Sequence, residues 1–187
     1  LLADGPVELG NMPRIRDVET MLALLADLGA EVAWVDGNTV RVDARPATLK
    51  PLDPELCSKI RASILFAGPL LARFGRVTLP PPGGDVIGRR RVDTHFLALE
   101  QLGASLSLGD SYQIEAKQLT GTEVCLDEPS VTGTENALMA AVAAKGRSVL
   151  RNAAGEPHVQ DVARLLVAMG ARIEGIGTNV YTIEGGL

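Results

Sequence analysis

Three segments of the chain share one spacing of apolar residues. Counting back from Gly29, Gly103 and Gly170, apolar side chains stand at positions −1, −4, −5, −8 and −11, and His95 at one −8 position is the single polar exception. This spacing is typical of one face of an α-helix, and a glycine directly after the last apolar residue is typical of a helix C-cap. The pattern therefore predicts three amphipathic helices that end at these glycines.

Each predicted helix lies between strands. A short polar turn flanked by alternating apolar residues follows every helix and predicts a β-hairpin, and a short apolar strand precedes it. The turns are 36–38, 109–111 and 177–179, and the preceding strands are 7–9, 77–79 and 149–151. The order strand, helix, hairpin thus occurs three times, at a period of about 70 residues, which indicates compact pseudo-symmetry rather than a solenoid.

Two further helices are predicted before the second and third of these strands. Asp53 and Pro54 predict the start of one, which continues through Leu71 with a kink at Gly68-Pro69. Thr134 predicts the start of the other, which runs to Gly146.

The complete unit is therefore βαβαββ, and the predicted fold class is α/β with three such units. Their approximate bounds are 1–45, 46–117 and 118–187, and the first copy lacks its opening strand and most of its first helix. We interpret the chain as one nearly complete domain of a longer protein, with sequence belonging to the same fold upstream.

Composition narrows the class of protein. The chain is 46% hydrophobic but only 3% aromatic, which suits a layered α/β core of aliphatic side chains, and its formal charge of −5 argues against general nucleic-acid binding. Cys57 and Cys125 have no CxxC spacing, so we expect unpaired core thiols in a reducing cytoplasm and no metal site. The sequence predicts neither a membrane span nor a signal peptide, and hence a soluble cytoplasmic protein.

One loop carries the candidate chemistry. Three prolines at 80–82 end a strand, Gly83 and Gly84 free the backbone, and Asp85 precedes three arginines at 89–91. An arginine cluster binds phosphate well, and a carboxylate beside it suggests proton transfer. The same composition is also typical of an ordinary solvated surface turn, and the loop by itself does not decide between the two.

Several motifs together resemble the enolpyruvyl transferases, and among them the members that act on UDP-N-acetylglucosamine. The resemblance spans essentially the whole chain and rests on Arg61-Ala62-Ser63-Ile64, 68–75, 83–88, Arg90, Val92-Asp93, His95, 99–104, Ser130-Val131 and Thr134-Glu135-Asn136. It implies two similar domains, each an inside-out α/β barrel of three units, with the active site in the cleft between them. On this basis the chain is most of one domain, and its partners are phosphoenolpyruvate, UDP-N-acetylglucosamine and the second domain of the parent chain, with no cofactor, metal, nucleic acid or membrane.

The resemblance also implies a reaction. The enolpyruvyl group of phosphoenolpyruvate moves to the sugar 3-hydroxyl through a tetrahedral intermediate that loses phosphate, the first committed step of peptidoglycan synthesis. Most members protonate the methylene carbon with a cysteine, and Asp85 stands at that position here. A carboxyl group has a reference pKa of about 3.9 and a thiol about 8.5, so Asp85 needs its pKa raised, for instance by desolvation when a loop closes. Without the thiolate, fosfomycin is expected to inhibit poorly.

Binding residues carry over in the same way. Arg61 and Arg90 match anion ligands, Arg91, Val92, Asp93 and Thr94 match the uridine-binding segment, and Ser130, Val131 and Thr132 match an anion site at a helix N-terminus. Arg91 replaces the usual proline, Thr132-Gly133 replaces glycine-alanine, and Glu128 stands where some members have lysine. From the residues alone, Arg61 fits a surface arginine packed on the core, and Asp93 a helix cap.

Three other functions stay open. The shikimate-pathway enolpyruvyl transferase shares the fold and donor but fits the Gly-Gly-Asp loop and the Gly103 neighbourhood less well. A fragment that binds the nucleotide sugar without reacting is a second possibility, because the family's Lys-Asn pair and the aspartate and arginine of its other domain do not occur in these residues. A structural repeat protein is the third, although it would not require an acid among arginines.

Overall fold

A computed structural model of the chain describes residues 1–84 and 91–187. These residues form six α-helices, one 3₁₀ helix and ten strands in the described ranges. The helices are α1 (Arg16–Asp27), α2 (Pro54–Cys57), α3 (Ala67–Phe74), α4 (Asp93–Gln101), α5 (Val131–Ala141) and α6 (Pro157–Ala168), with the 3₁₀ helix at Arg61–Phe66. The strands are β1 (Val7–Leu9), β2 (Glu31–Trp34), β3 (Val40–Asp43), β4 (Arg76–Leu79), β5 (Ser105–Leu108), β6 (Tyr112–Glu115), β7 (Glu123–Cys125), β8 (Arg147–Arg151), β9 (Arg172–Glu174) and β10 (Val180–Glu184).

The strands form three sheets with one recurring topology. The orders are β1-β3-β2, β4-β6-β5 and β7-β8-β10-β9, and in each the strand before the amphipathic helix pairs antiparallel with the second strand of the hairpin. The three predicted hairpins are confirmed as β2–β3, β5–β6 and β9–β10. The architecture is therefore α/β, with only the third sheet mixed, because β7 runs parallel to β8.

The predicted glycine C-caps are confirmed in all three copies. Gly29, Gly103 and Gly170 have φ values of 96°, 102° and 110°. In each copy the residue after the glycine donates its backbone N–H to a carbonyl five residues earlier, as in the pairs Ala30–Leu25, Ala104–Leu99 and Ala171–Leu166. This is the hydrogen bond of a Schellman motif, which satisfies a free carbonyl at the helix end.

Helix α5 lies at the centre of the described structure. It packs against α3, α4, α6 and the 3₁₀ helix, and eight of its eleven residues are buried. Its approach to α3 depends on Gly68, because a Cβ there would lie 2.6 Å from the carbonyl oxygen of Asn136. The polar residues that α5 buries, among them Thr134 and Asn136, therefore need partners inside the protein.

The inside-out barrel predicted for the three units is not confirmed and stays a prediction, since the described sheets are not hydrogen-bonded to one another and form no closed barrel of strands. Two other predicted details are wrong. No strand opens the second unit, where a single backbone hydrogen bond from Leu52 to Thr78 (3.4 Å) is formed instead. The helix predicted from Asp53 is three segments, broken at 58–60, with Gly68-Pro69 inside the first turn of α3.

Corrections also apply to a cap and to a cysteine. Ser130, and not Thr134, caps α5, since its hydroxyl accepts from the N–H of Gly133. Cys57 is buried, and burial raises the pKa of its thiol to about 11, but Cys125 is exposed although both cysteines were predicted to be core residues. The cap predicted at Asp53 is confirmed by its bonds from the N–H groups of Glu55 and Leu56.

Candidate active site

The start of α4 is tied to the β7–α5 turn by an ionic cluster. Arg91 donates from Nε to both oxygens of Asp93 (2.9 and 2.8 Å) and from Nη2 to Asp93 (2.5 Å) and Asp127 (2.6 Å). The Arg91 guanidinium lowers the pKa of Asp93, and the Thr94 hydroxyl, followed by Arg91, lowers that of Asp127. Because these charged groups lie at the surface, their ion pairs add little to the free energy of unfolding. Their main effect is to hold residues 91–94 in place.

Thr94 brings the first turns of α4 and α5 together. Its hydroxyl donates to Asp127 at 2.7 Å, and Glu128 lies 3.4 Å away. Its methyl group packs on Gly133, where an added Cβ would lie 3.1 Å from it. Four of the predicted nucleotide-binding residues, 91–94, therefore lie next to the predicted anion site at Ser130, Val131 and Thr132.

The N-terminus of α5 has free donors. Ser130 is the N-cap, and the backbone N–H groups of Val131 and Thr132 have no acceptor within residues 1–84 and 91–187. Such N–H groups, aligned with the helix dipole, attract an anion. The helix thus begins at Val131, three residues before the predicted cap Thr134, and the binding of an anion there stays a prediction.

Arg61 touches both ends of the candidate catalytic loop. Its Nη2 donates to the carbonyl oxygen of Arg91 at 2.7 Å. At the other end, Gly84 is so close that a Cβ on it would lie 2.9 Å from the backbone nitrogen of Arg61. Arg61 is half-buried and begins the 3₁₀ helix. It therefore connects Gly84 and Arg91, the described residues on either side of the loop, to that helix.

The backbone before the loop is also anchored. Gly83 donates its N–H to the carbonyl of Cys57 (3.0 Å), and Gly84 donates to that of Ser58 (3.2 Å). These bonds fix the chain up to the residue that precedes Asp85. Asp85 and Arg90 themselves, predicted as the acid and an anion ligand, lie outside the described residues.

A buried histidine lies behind the α5 N-terminus. His95 is 1% exposed, and its ring contacts Asn136 through Nδ1 (2.8 Å) and Thr132 through Nε2 (3.1 Å). Burial, and after it the positive charge of Arg61, lowers the pKa of His95 to about 4, so the imidazole is neutral near pH 7. His95 stands out in the sequence as a polar residue in an apolar stripe, but sequence reasoning predicted no role for it or for Asn136.

Comparison with known proteins identifies relatives of this chain. The family model described as EPSP synthase (3-phosphoshikimate 1-carboxyvinyltransferase) matches residues 1–187. The chain is 62% identical over 185 residues to the UDP-N-acetylglucosamine 1-carboxyvinyltransferase of Bradyrhizobium diazoefficiens, and 49% identical over 185 residues to that of Treponema denticola. Each match covers 99% of this chain and 43% of the relative, so the chain spans less than half the length of these curated relatives.

Solved structures show the same fold. The enolpyruvyl transferase NikO from Streptomyces tendae superposes with a TM-score of 0.84 at 23% identity, over 98% of this chain and 44% of that one. An EPSP synthase from Acinetobacter baumannii superposes with a TM-score of 0.75 at 20% identity, over 99% of this chain and 43% of that one. The resemblance stated from the motifs is thereby confirmed, and the chain belongs to the EPSP synthase family of enolpyruvyl transferases.

Proposed function

We propose that the protein to which this chain belongs is a UDP-N-acetylglucosamine 1-carboxyvinyltransferase. The observation that carries the proposal is its identity of 49–62% to relatives of that name over 99% of the chain. The described geometry supports it, because the predicted binding residues of 91–94 and 130–132 lie side by side and Arg61 contacts Arg91 next to the loop that contains Asp85.

In this reaction the acid delivers its proton to the methylene carbon of phosphoenolpyruvate while the sugar 3-hydroxyl oxygen bonds to the adjacent carbon and gives its own proton to a base. The tetrahedral intermediate then loses a methyl proton to a base and its phosphate as the leaving group, which restores the carbon–carbon double bond. We assign the first proton to Asp85, the donor phosphate or carboxylate and the nucleotide diphosphate to Arg61 and Arg90, and the uridine to 91–94. Ser130, Val131 and Thr132 supply donors to a phosphate of the nucleotide.

We assign the rest of the substrate-binding surface to a second domain of the parent chain. The chain matches 43% of the length of its relatives, which leaves room for a second domain of similar size. The inside-out barrel of three units, with bounds near 1–45, 46–117 and 118–187, is our proposal for the complete first domain. The isolated fragment is expected to bind without turnover.

The biological setting follows from the proposed reaction. We place the protein in peptidoglycan synthesis, acting in the cytoplasm, with effects on cell shape and division. Within the described residues, no helix has the length and apolarity needed to cross a membrane.

The second candidate acceptor is 3-phosphoshikimate. The description of the family model favours it, as do the solved EPSP synthases. Their identity to this chain is 20%, well below the 62% of the Bradyrhizobium relative.

Calorimetric titration of UDP-N-acetylglucosamine into the full-length protein tests the binding half of the proposal. We expect saturable heat, and at least tenfold weaker binding for Arg90→Ala, since a charge-assisted hydrogen bond to phosphate would be lost. Arg172→Ala, on the exposed end of β9, is the matched control and should bind like the wild type. The absence of heat with the wild-type protein would remove the nucleotide assignment.

A further inference from the structure

Five polar groups behind the α5 N-terminus form one chain of hydrogen bonds. Gly68 N–H contacts Asn136 Oδ1 at 2.8 Å, and Asn136 Nδ2 contacts both the carbonyl of Ile64 (2.9 Å) and Nδ1 of His95 (2.8 Å). His95 Nε2 then contacts the hydroxyl of Thr132 at 3.1 Å. Asn136 and His95 are 0% and 1% exposed, so water does not compete for these bonds.

The direction of every bond in this chain is determined. The N–H of Gly68 only donates and the carbonyl of Ile64 only accepts, which fixes Oδ1 and Nδ2 of Asn136. Nδ2 must therefore also donate to His95, so Nδ1 of the neutral imidazole carries the lone pair and Nε2 carries the hydrogen. It follows that Nε2 donates to Thr132 Oγ1, and that the hydroxyl hydrogen of Thr132 remains for another acceptor.

The hydroxyl of Thr134, two residues further along α5, differs from that of Thr132. The Thr134 hydroxyl donates to the carbonyl of Ser130 (2.7 Å) and accepts from the N–H of Ala154 (2.9 Å), so it is fully used inside the fold. Thr132 is half-buried, and within the described ranges its hydroxyl has His95 as its one hydrogen-bond partner. Its remaining hydrogen lies in the first turn of α5, beside the free N–H groups of Val131 and Thr132.

The charges around this turn make directed donors important. Asp93, Asp127 and Glu128 are three carboxylates, and Arg91 is bonded to two of them. Even with Arg61, which contacts the Arg91 carbonyl, the described charges around this turn are negative by one. An anion held at the α5 N-terminus therefore depends, in addition to the arginines assigned to the diphosphate, on hydrogen bonds that are aimed at it in advance.

We propose that His95 is a positioning residue for the nucleotide sugar: it orients the Thr132 hydroxyl as a donor to a phosphate oxygen of the nucleoside diphosphate. This inference rests on the proposed function and adds to it the residue that sets the direction of one donor. Thr132 makes the contact, and His95 acts only through Thr132.

The experiment measures the affinity of the full-length protein for UDP-N-acetylglucosamine and for uridine by calorimetry. Thr132→Val, which removes the hydroxyl at constant shape, should weaken UDP-N-acetylglucosamine binding about 10- to 100-fold, because one hydrogen bond to a charged group is lost. Uridine, which has no phosphate, should bind Thr132→Val as it binds the wild type. Thr132→Ser should restore most of the lost affinity.

Variants of His95 separate positioning from folding. His95→Gln offers an acceptor to Asn136 and a donor to Thr132, so it should bind within about threefold of the wild type, whereas His95→Leu should bind as weakly as Thr132→Val. In the Thr132→Val background, His95→Leu should weaken binding no further, although it should still lower thermal stability. His158→Leu, which changes the exposed histidine of α6, is the control and should leave binding unchanged.

The outcomes distinguish the two proposals. If the wild type binds UDP-N-acetylglucosamine and Thr132→Val binds equally well, the positioning role is wrong and the proposed function stands. Additive losses in the double variant would likewise show that His95 does not act through Thr132. A wild-type protein with no affinity for UDP-N-acetylglucosamine would overturn both proposals. If His95→Leu fails to fold, the variants Thr132→Val, Thr132→Ser and His95→Gln still decide the positioning role.

Discussion

Replacing Asp85 with alanine in the full-length protein is expected to lower kcat about 10²- to 10⁴-fold, the usual contribution of a general acid. In the proposed reaction the sugar hydroxyl oxygen bonds to the carbon next to the methylene group only as the methylene carbon takes up a proton, and Asp85 is the residue to which we assign that proton. KM for UDP-N-acetylglucosamine should change little, because the binding residues are elsewhere. Stopped assays of phosphate release measure both constants.

Asp110→Ala is the matched control, since Asp110 is an exposed carboxylate in the β5–β6 turn. It should retain the wild-type rate. An Asp85→Ala protein that kept its full rate would show that another group delivers the proton.

The same residue should determine the response to fosfomycin. The wild type presents a carboxylate and no thiolate at position 85, so we expect poor inhibition, and Asp85→Cys should become sensitive with a covalent adduct on the new thiol. Rapid, time-dependent inactivation of the wild type with an adduct on Asp85 would contradict this expectation.

Replacing Asn136 with alanine is expected to destabilise the domain by about 3–5 kcal/mol. The change leaves Gly68 N–H, the Ile64 carbonyl and His95 Nδ1 without their partner in a fully buried site, and each such group costs about 1–3 kcal/mol. Amide hydrogen exchange of α3 and α5 in the full-length protein measures the loss, as protection lowered by about 10²-fold or more.

Asn179→Ala provides the comparison for Asn136. Asn179 is exposed in the β9–β10 turn, so its replacement should change stability by less than about 0.5 kcal/mol. If Asn136→Ala lost less than about 1 kcal/mol, the hydrogen-bond chain would not hold α3, α4 and α5 together.

The fold could be predicted from sequence where the determinants are local. Apolar spacing and a C-cap glycine are both within one helix, so the helices ending at Gly29, Gly103 and Gly170 were predicted and found. Hairpins likewise follow from a turn and its flanking residues. How the three sheets lie relative to one another depends on contacts between units, which no local pattern reports.

The errors have physical causes. Thr134 looks like a cap in sequence, but its hydroxyl is used by Ser130 and by the distant Ala154, and Ser130 four residues earlier is the actual cap. The break at 58–60 places the Cys57 and Ser58 carbonyls opposite Gly83 and Gly84. Cys125 is exposed although it lies in an apolar strand, because β7 is an edge strand of its sheet and its neighbour Val124 faces the core.

The candidate site could likewise be predicted from the sequence only in part. Motif resemblance supplied Arg61, 91–94 and 130–132, and the structure brings these stretches together. The partners of Arg91 could not be read from sequence, since Asp127 is 36 residues away and Asp93 was interpreted as a ligand residue or a cap. The direction of the His95 bonds depends on Asn136, which belongs to another unit, and through it on Gly68 and Ile64.

The most direct test is turnover by the full-length protein with phosphoenolpyruvate and each of two acceptors, followed by mass spectrometry of the product. We predict phosphate release and a carboxyvinyl adduct of UDP-N-acetylglucosamine, with no product from 3-phosphoshikimate. A carboxyvinyl adduct of 3-phosphoshikimate alone would contradict the assignment.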